Sequence, residues 1–127
     1  MRDHRKLDVF HLADKFVALV YMATKNFTRE ETYGLRSQIR RAAVSIPTNI
    51  VEGCGRRTQK EFANFLRNSF ASMREVLYLA DLSKRLGYLS PADSDQIVEL
   101  GNQCAGSLSN LIEKVEKSSG SRHTTPR

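Results

Sequence analysis

The stretch from Tyr33 to Gly53 constrains the fold of this chain more than any other part of its sequence. On a helical wheel, one side of the stretch collects apolar residues, as the core stripe of an amphipathic helix does. This stripe comprises Leu35, Ile39, Ala42, Ala43, Ile46 and Ile50. Nearly opposite lie Tyr33, Val44 and Val51. A helix with apolar residues on two opposed sides usually buries both, so we expect a second packing partner for this one.

Pro47 lies deep inside the predicted helix and lacks the N–H that would bond the Ala43 carbonyl, a loss of about 3 kcal/mol. The sequence therefore predicts a kink, or a break into two helices, at this position. The alternative is that the freed carbonyl and the polar flank beside it form a recognition site. That flank comprises Gln38, Arg41, Ser45, Asn49 and Glu52. Arg41 and Glu52 are ~16 Å apart along the axis, so each needs a partner elsewhere if the flank is buried.

Apolar periodicity and capping residues predict helices along most of the chain. We expect them at about Leu7–Thr24, from a capping box at Thr28 to Glu52, from a second capping box at Thr58 to Leu86, and from Ser90 to Lys117. The first helix carries two adjacent apolar stripes, which fit either a deep position in a bundle or a subunit interface.

Long helices joined by short loops predict an all-α, up-down-up-down four-helix bundle. The bundle is expected over residues 7–117, after a flexible N-terminus at 1–6 and before a disordered tail at 118–127. A chain of 127 residues is most simply one domain.

The chain lacks the segments that direct a protein into or across a membrane. No run approaches the ~20 apolar residues of a membrane span, and the charged Met1–Lys6 leads into a helix without the apolar core of a signal peptide. We therefore expect a cytoplasmic protein with no membrane partner. Cys54, in a predicted loop, and Cys104, on a core stripe, are expected to be free thiols in that reducing compartment.

The formal net charge is +6 and the pI is near 9.6, which favours acidic partners and nucleic acid first. Lys60, Arg67 and Arg74 recur every seven residues and share one sector of the third helix with Arg85. Such a row suits contact with a phosphate backbone, although an ordinary solvated face also needs charged residues. Further arginines extend this patch if the helix ends lie close together: Arg36, Arg40, Arg56 and Arg57.

The sequence offers no residues for catalysis or metal binding. Helical bundles often hold metals with Glu-x-x-His pairs, but His4, His11 and His123 never follow a glutamate at that spacing. No phosphate-binding glycine loop, zinc cluster or nucleophile–base pair can be nominated. We therefore expect no enzyme activity, no metal and no cofactor.

The run Glu31–Gly53, ETYGLRSQIRRAAVSIPTNIVEG, resembles the signature of a four-helix-bundle family named for open reading frames in intervening sequences of bacterial 23S rRNA genes. The resemblance spans roughly residues 7–115. It departs at Thr28, where the family often has proline, and at Ala71, where the family has glycine. It implies a bundle that assembles as a homopentameric ring. The architecture is also similar to that of the basic accessory proteins of diversity-generating retroelements, which engage nucleic acid and a reverse transcriptase.

Within this resemblance we interpret the motif of the second helix as structural or interfacial. The residues concerned are Tyr33, Arg41, Val44, Ser45, Pro47, Asn49, Val51 and Glu52. The leading hypothesis is a non-enzymatic homo-oligomer, pentameric by resemblance, that binds RNA or DNA through a basic surface. The alternative is a protein-interaction scaffold that docks an acidic partner such as a polymerase or reverse transcriptase.

Overall fold

The computed structural model describes residues 2–31 and 33–123, and it gives the backbone alone for 120–123. Within these ranges the chain is helical and contains no strand: α1 spans Asp8–Ala23, α2 Leu35–Cys54, α3 Gln59–Arg85 and α4 Pro91–His123. Short 3₁₀ turns at His4–Lys6 and Arg29–Glu31 precede α1 and α2. The predicted all-α, four-helix fold is confirmed.

Each helix packs against two neighbours, with α1 and α3 both lying between α2 and α4. Two contacts fix the direction of α3 relative to α2. The Ser45 hydroxyl lies 2.9 Å from the Ser72 hydroxyl, and Ser69 donates to the Ile46 carbonyl at 2.8 Å. Because residue numbers rise along α2 as they fall along α3, the two helices are antiparallel.

The core lies between the four helices and contains the predicted stripe of α2. Every member of that stripe is buried: Leu35, Ile39, Ala42, Ala43, Ile46 and Ile50. Facing it are Leu66 and Met73 from α3 and Phe16 from α1, all without solvent exposure. Burial of this apolar surface is the main stabilising contribution to such a fold.

The start of α2 differs from the prediction. A helix starting at the Thr28 capping box is wrong, because the residues after Thr28 form only a short turn and α2 begins at Leu35. The Glu31 carboxylate instead accepts the Leu35 backbone N–H at 3.1 Å from outside the helix. Gly34 permits this approach, since a Cβ at that position would lie 2.7 Å from the Glu31 Oε2 atom.

Pro47 lies inside α2 without ending it, so the predicted break into two helices is wrong, while the kink stays a prediction. Side chains next to the proline bond nearby carbonyls. Thr48 donates to the Val44 carbonyl at 2.8 Å, and the Asn49 amide donates to the Ser45 carbonyl at 2.8 Å. Because proline has no N–H to donate, these side-chain donors add hydrogen bonds to the helix around Pro47, while the structural role of the motif stays a prediction.

The remaining helix boundaries agree with the prediction in one case and differ in two. The capping box at Thr58 is confirmed, because its hydroxyl accepts a backbone N–H of the first turn at 3.1 Å. Cys54, expected in a loop, is the buried last residue of α2. The last helix continues to His123, past the expected end at Lys117. The rest of the predicted tail, 124–127, lies outside the described residues.

Two features shape the end of the bundle where α2 joins α3: the close approach of the helices at Gly53 and the position of residues 2–6. At the joined end of α2 and α3, a Cβ at Gly53 would lie 2.9 Å from the Phe65 Cβ atom and 3.0 Å from the Phe62 ring. This close approach holds both rings next to the loop that leads into α3. Residues 2–6, predicted to be flexible, lie across the same end, where the Arg2 N–H donates to the Cys54 carbonyl at 3.3 Å. Their flexibility stays a prediction.

Candidate nucleic-acid interface

The predicted cations form three groups along α2 and α3. Arg56, Arg57 and Lys60 lie where α2 joins α3; Arg67, Arg74 and Arg85 lie further along α3; Arg36 and Arg40 lie at the start of α2. Because α2 has 20 residues, its two ends are about 30 Å apart. Arg36 and Arg40 therefore lie far from Arg56 and Arg57, whereas their extension of the row along α3 stays a prediction.

We define the arginine end as Arg2, Arg56, Arg57 and Lys60. The three arginines line an open depression of about 460 Å³ together with Gly55. Lys60 is exposed in the first turn of α3. The sequence analysis missed Arg2, because nothing in the pattern of residues 1–6 indicates that this segment packs against the α2–α3 loop. The only available signal was its basic composition.

Aromatic rings and backbone carbonyls hold two of these guanidinium groups in place. The Arg2 guanidinium carbon lies 4.2 Å from the centre of the Phe62 ring, and its Nη1 donates to the Arg56 carbonyl at 3.0 Å. Arg2 also donates to the Gln59 side chain. Arg56 lies 4.5 Å from the centre of the Phe65 ring. A ring occupies one face of a guanidinium, while its in-plane N–H groups stay able to bond phosphate.

The arginine end has more positive than negative charge around it. Residues 2–6 and 52–61 together contain six lysines and arginines against three carboxylates, Asp3, Glu52 and Glu61. Asp3 forms an ion pair with Arg5 at 3.0 Å, and the hydrogen bonds from Arg5 lower the pKa of the Asp3 carboxyl. Glu61 belongs to the α3 capping box. None of the four cations of the arginine end pairs with a carboxylate among the described residues.

The row predicted along α3 is exposed, but acids interrupt it. Arg67 pairs with Glu116 of α4. Arg85 pairs with Asp81 at 2.9 Å, and this hydrogen bond raises the pKa of the Arg85 guanidinium. Pairs between exposed side chains contribute little to stability, yet they compete with any phosphate for the same guanidinium. Arg74 and Lys60 remain as row members without an ion pair in the described part of the chain.

At the opposite end of α2 lies a second depression, which we call the tyrosine pocket. It has a volume of about 360 Å³ and is lined by Tyr21, Tyr33, Arg36, Ser37, Arg40 and Arg41. Arg40 is half-buried; its Nε donates to the Thr24 hydroxyl at 2.8 Å and its Nη2 donates to the Tyr21 carbonyl at 3.0 Å. The same guanidinium lies 4.4 Å from the centre of the Tyr21 ring. Arg40 thus ties α2 to the last turn of α1.

The second apolar face predicted for α2 is open to solvent on the single chain. Tyr33 is 94% exposed, Val44 40% and Val51 39%. Pro47 is half-buried between these valines and the core. No other described element of the chain covers this face, so its burial by a partner stays a prediction.

The polar flank of α2 lies along the groove between α2 and α3. Besides its contact with Ser72, Ser45 accepts a bond from the Asn49 amide at 2.9 Å. Arg41 is exposed and shares a shallow depression with Glu75 of α3. Since Arg41 and Glu52 are both exposed on the single chain, neither requires a buried partner there.

Two other kinds of feature, a metal site and a membrane span, are absent from residues 2–31 and 33–123. No group of three or more His, Cys, Asp or Glu side chains in these ranges is arranged to hold a metal ion. None of the helices in them is both long enough and apolar enough to cross a membrane. Cys54 and Cys104 are both buried and unpaired.

The fold and the site together define a class: an all-α four-helix bundle with clustered arginines where α2 meets α3. Over residues 5–110 the sequence matches the 23S rRNA-intervening sequence protein family, and the chain belongs to that family. This confirms the resemblance seen in the run Glu31–Gly53.

A solved structure shows the same fold. It is a protein of unknown function from the S23 ribosomal protein family of Bacteroides thetaiotaomicron, with a TM-score of 0.76 and 22% sequence identity. The match covers 83% of this chain and 95% of that one. At this identity the likeness carries the fold alone. No curated protein matches the chain.

Proposed function

We propose that this protein is a non-enzymatic homo-oligomer that binds nucleic acid through phosphate contacts at its arginine end. The clustering of Arg2, Arg56 and Arg57 around one open depression is the observation that carries the proposal. Lys60 adds a fourth positive charge in the adjoining turn, and no described carboxylate neutralises any of the four.

The chemistry of a phosphate backbone matches this arrangement. Each cation that contacts a phosphate releases condensed counterions, so several cations close together give binding without any reading of base sequence. Arg2 and Arg56 are also held by rings, which reduces the side-chain entropy lost when they bind. The family description refers to 23S rRNA, which makes RNA the first nucleic acid to test.

Self-association is the second part of the proposal. Val44 and Val51 stay partly exposed on the outer face of α2, and a second copy of the chain would bury them. The family resemblance implies a pentameric ring. Light scattering of dilute protein is expected to give a pentameric multiple of the 14.4 kDa subunit. A mass of one subunit would contradict this part.

A salt titration tests the nucleic-acid part. Single-stranded RNA carrying a fluorescent label is titrated with the protein, and binding is followed by anisotropy at several salt concentrations. With four phosphate contacts, the logarithm of the association constant should fall with the logarithm of salt at a slope of about −3. If no RNA or DNA binds even at low salt, the proposal fails, and an acidic protein partner becomes the better candidate.

A pair of matched double variants locates the contacts. Arg56→Ala with Arg57→Ala removes two cations from the arginine end and should weaken RNA binding roughly tenfold at low salt. Arg67→Ala with Arg85→Ala removes the same charge from ion-paired positions and should weaken it less than about threefold. Equal losses would mean that net charge alone drives binding.

A further inference from the structure

We infer that the tyrosine pocket binds one unpaired nucleotide, with its base stacked on Tyr33 and its phosphate bound by the pocket's arginines. The inference rests on the proposed function and deepens it, because it names single-stranded nucleic acid as the ligand class. It draws on residues about 30 Å from the arginine end, at the other end of α2.

Tyr33 supplies the surface on which a base can stack. Its side chain is 94% exposed, the highest value among the large apolar and aromatic side chains that are exposed in the described chain. Hydration of such an apolar ring surface is unfavourable in free energy, and a ligand that covers the ring removes this cost. Nucleobases cover tyrosine rings well, since every base has a flat π-face whatever its identity.

Arg40 gives the pocket a rigid, positively charged floor. Two of its N–H groups are engaged by Thr24 and by the Tyr21 carbonyl, and its flat face lies against the Tyr21 ring. An arginine has five N–H donors, so donors remain for an anion. Because the side chain is already immobilised, binding a phosphate there would cost little additional entropy.

The charge of the pocket favours an anionic ligand over a second copy of this chain. Arginines line it at three positions, and none of its described lining residues is a carboxylate. Two carboxylates lie near this surface. Glu31 accepts the Leu35 backbone N–H, and Glu75 lines the neighbouring depression with Arg41 but forms no ion pair with it. A copy of a chain with net charge +6 would bring further positive charge to this surface, whereas a nucleotide brings both a ring and a negative charge.

The size of the pocket fits a single small ligand. Its volume of about 360 Å³ lies at the lower end of the range of roughly 300–1,000 Å³ found for small-molecule sites. A base in a duplex is stacked on both faces and is not available to Tyr33. We therefore expect single strands, loops and ends to bind here in preference to paired regions.

The test compares two anionic probes, a single-stranded oligouridine and inorganic polyphosphate, which has the charge without the bases. Tyr33→Ala should lower the affinity for oligouridine roughly tenfold and leave the affinity for polyphosphate within about twofold. Tyr33→Phe keeps the ring and should behave as the unmodified protein. Tyr78→Ala removes another exposed tyrosine, on α3, and serves as the matched control.

Tyrosine emission gives an independent readout. The chain has four tyrosines and no tryptophan, so stacking on Tyr33 should quench the intrinsic fluorescence directly. Oligouridine is expected to quench the unmodified protein and Tyr78→Ala, and to quench Tyr33→Ala clearly less. Polyphosphate should leave the emission of all three unchanged.

Three results would overturn the inference. Tyr33→Ala could bind oligouridine as well as the unmodified protein, or it could lose both probes equally. It could also fall apart into subunits in light scattering, which would place Tyr33 in an interface between copies. In each case the proposed function survives if Arg56→Ala with Arg57→Ala still weakens binding of both probes. If the unmodified protein binds neither probe at low salt, both proposals are wrong.

Discussion

The arginine end and the tyrosine pocket combine the same kinds of side chain in opposite order. At the arginine end the Phe62 ring is buried and the Arg2 guanidinium lies over it. In the tyrosine pocket the half-buried Arg40 side chain lies against the Tyr21 ring, and the most exposed ring is that of Tyr33. The outermost group decides what each surface offers. One presents cations to a phosphate, and the other presents a ring to a base.

The reason for the difference lies in the backbone beneath each surface. Gly53 lets α2 approach α3 closely at this end, and the Phe62 ring is buried beneath the Arg2 guanidinium. At the other end, α2 begins only at Leu35, and none of the described elements covers Tyr33. Local packing therefore sets the order of ring and cation, even though the residue types are similar.

The largest expected effect comes from disturbing the packing beneath the arginine end alone. Gly53→Ala places a methyl group 2.9 Å from the Phe65 Cβ atom, so the helices must separate. We expect a loss of about 1–3 kcal/mol in the free energy of unfolding, measured by denaturant titration. Gly106→Ala is the matched control, because a Cβ at that position meets nothing within 4 Å.

Alanine has the higher helix propensity, so the control should gain up to about 1 kcal/mol. Equal effects at the two glycines would mean that the close approach of α2 and α3 does not constrain the arginine end.

The next effect separates a structural arginine from an exposed one. Arg40→Ala removes hydrogen bonds to Thr24 and to the Tyr21 carbonyl together with the ring contact, and should cost about 1–2 kcal/mol of unfolding free energy. Arg57→Ala removes an exposed side chain and should change it by no more than about 0.5 kcal/mol. Thermal unfolding followed by circular dichroism measures both. A reversed order would refute the assignment of Arg40 as a tie between α1 and α2.

The smallest effect concerns the segment that brings Arg2 to the arginine end. Burial raises the pKa of the Cys54 thiol, and it raises that of Cys104 to about 11, so both react slowly with alkylating reagents. Arg2→Ala should speed alkylation of Cys54 a few-fold by loosening the segment that bonds the Cys54 carbonyl.

The charge of Arg2 and the burial of Cys54 have opposite effects on the pKa of the thiol in this experiment. Arg2 itself lowers the pKa of Cys54, so its removal alone would slow alkylation. Burial is the larger influence on this pKa, so we expect the gain in exposure of Cys54 to dominate and alkylation to become faster. Cys104, in the core, is the internal standard and should not change. An unchanged alkylation rate of Cys54 would mean that the Arg2 side chain does not keep residues 2–6 packed over Cys54.

Periodic features of single helices could be predicted from the sequence. The core stripe of α2 and the capping box at Thr58 depend only on residues a few positions apart, and both are confirmed. The Thr28 box also has the right residues, yet α2 begins at Leu35 because Gly34 brings the Glu31 carboxylate to the new helix start. Capping residues alone did not distinguish a short turn from a helix.

Features that depend on two helices could not be predicted. The row along α3 looked continuous because Glu116, which pairs with Arg67, comes from α4. Arg40 looked like a free cation because its acceptors lie on α1. Arg2 looked like part of a flexible end because its ring partner, Phe62, is far away in the sequence. Heptad spacing identified exposed positions correctly but gave no information on their neighbours.

The central claim is that cations at the arginine end contact phosphates directly, and the salt dependence of RNA binding tests it most directly. We compare the slope of the log–log salt plot for the unmodified protein with that for Arg56→Ala with Arg57→Ala, using the same single-stranded RNA. Loss of two phosphate contacts predicts a slope shallower by about 1.4. An unchanged slope, whatever the change in affinity, would contradict the claim.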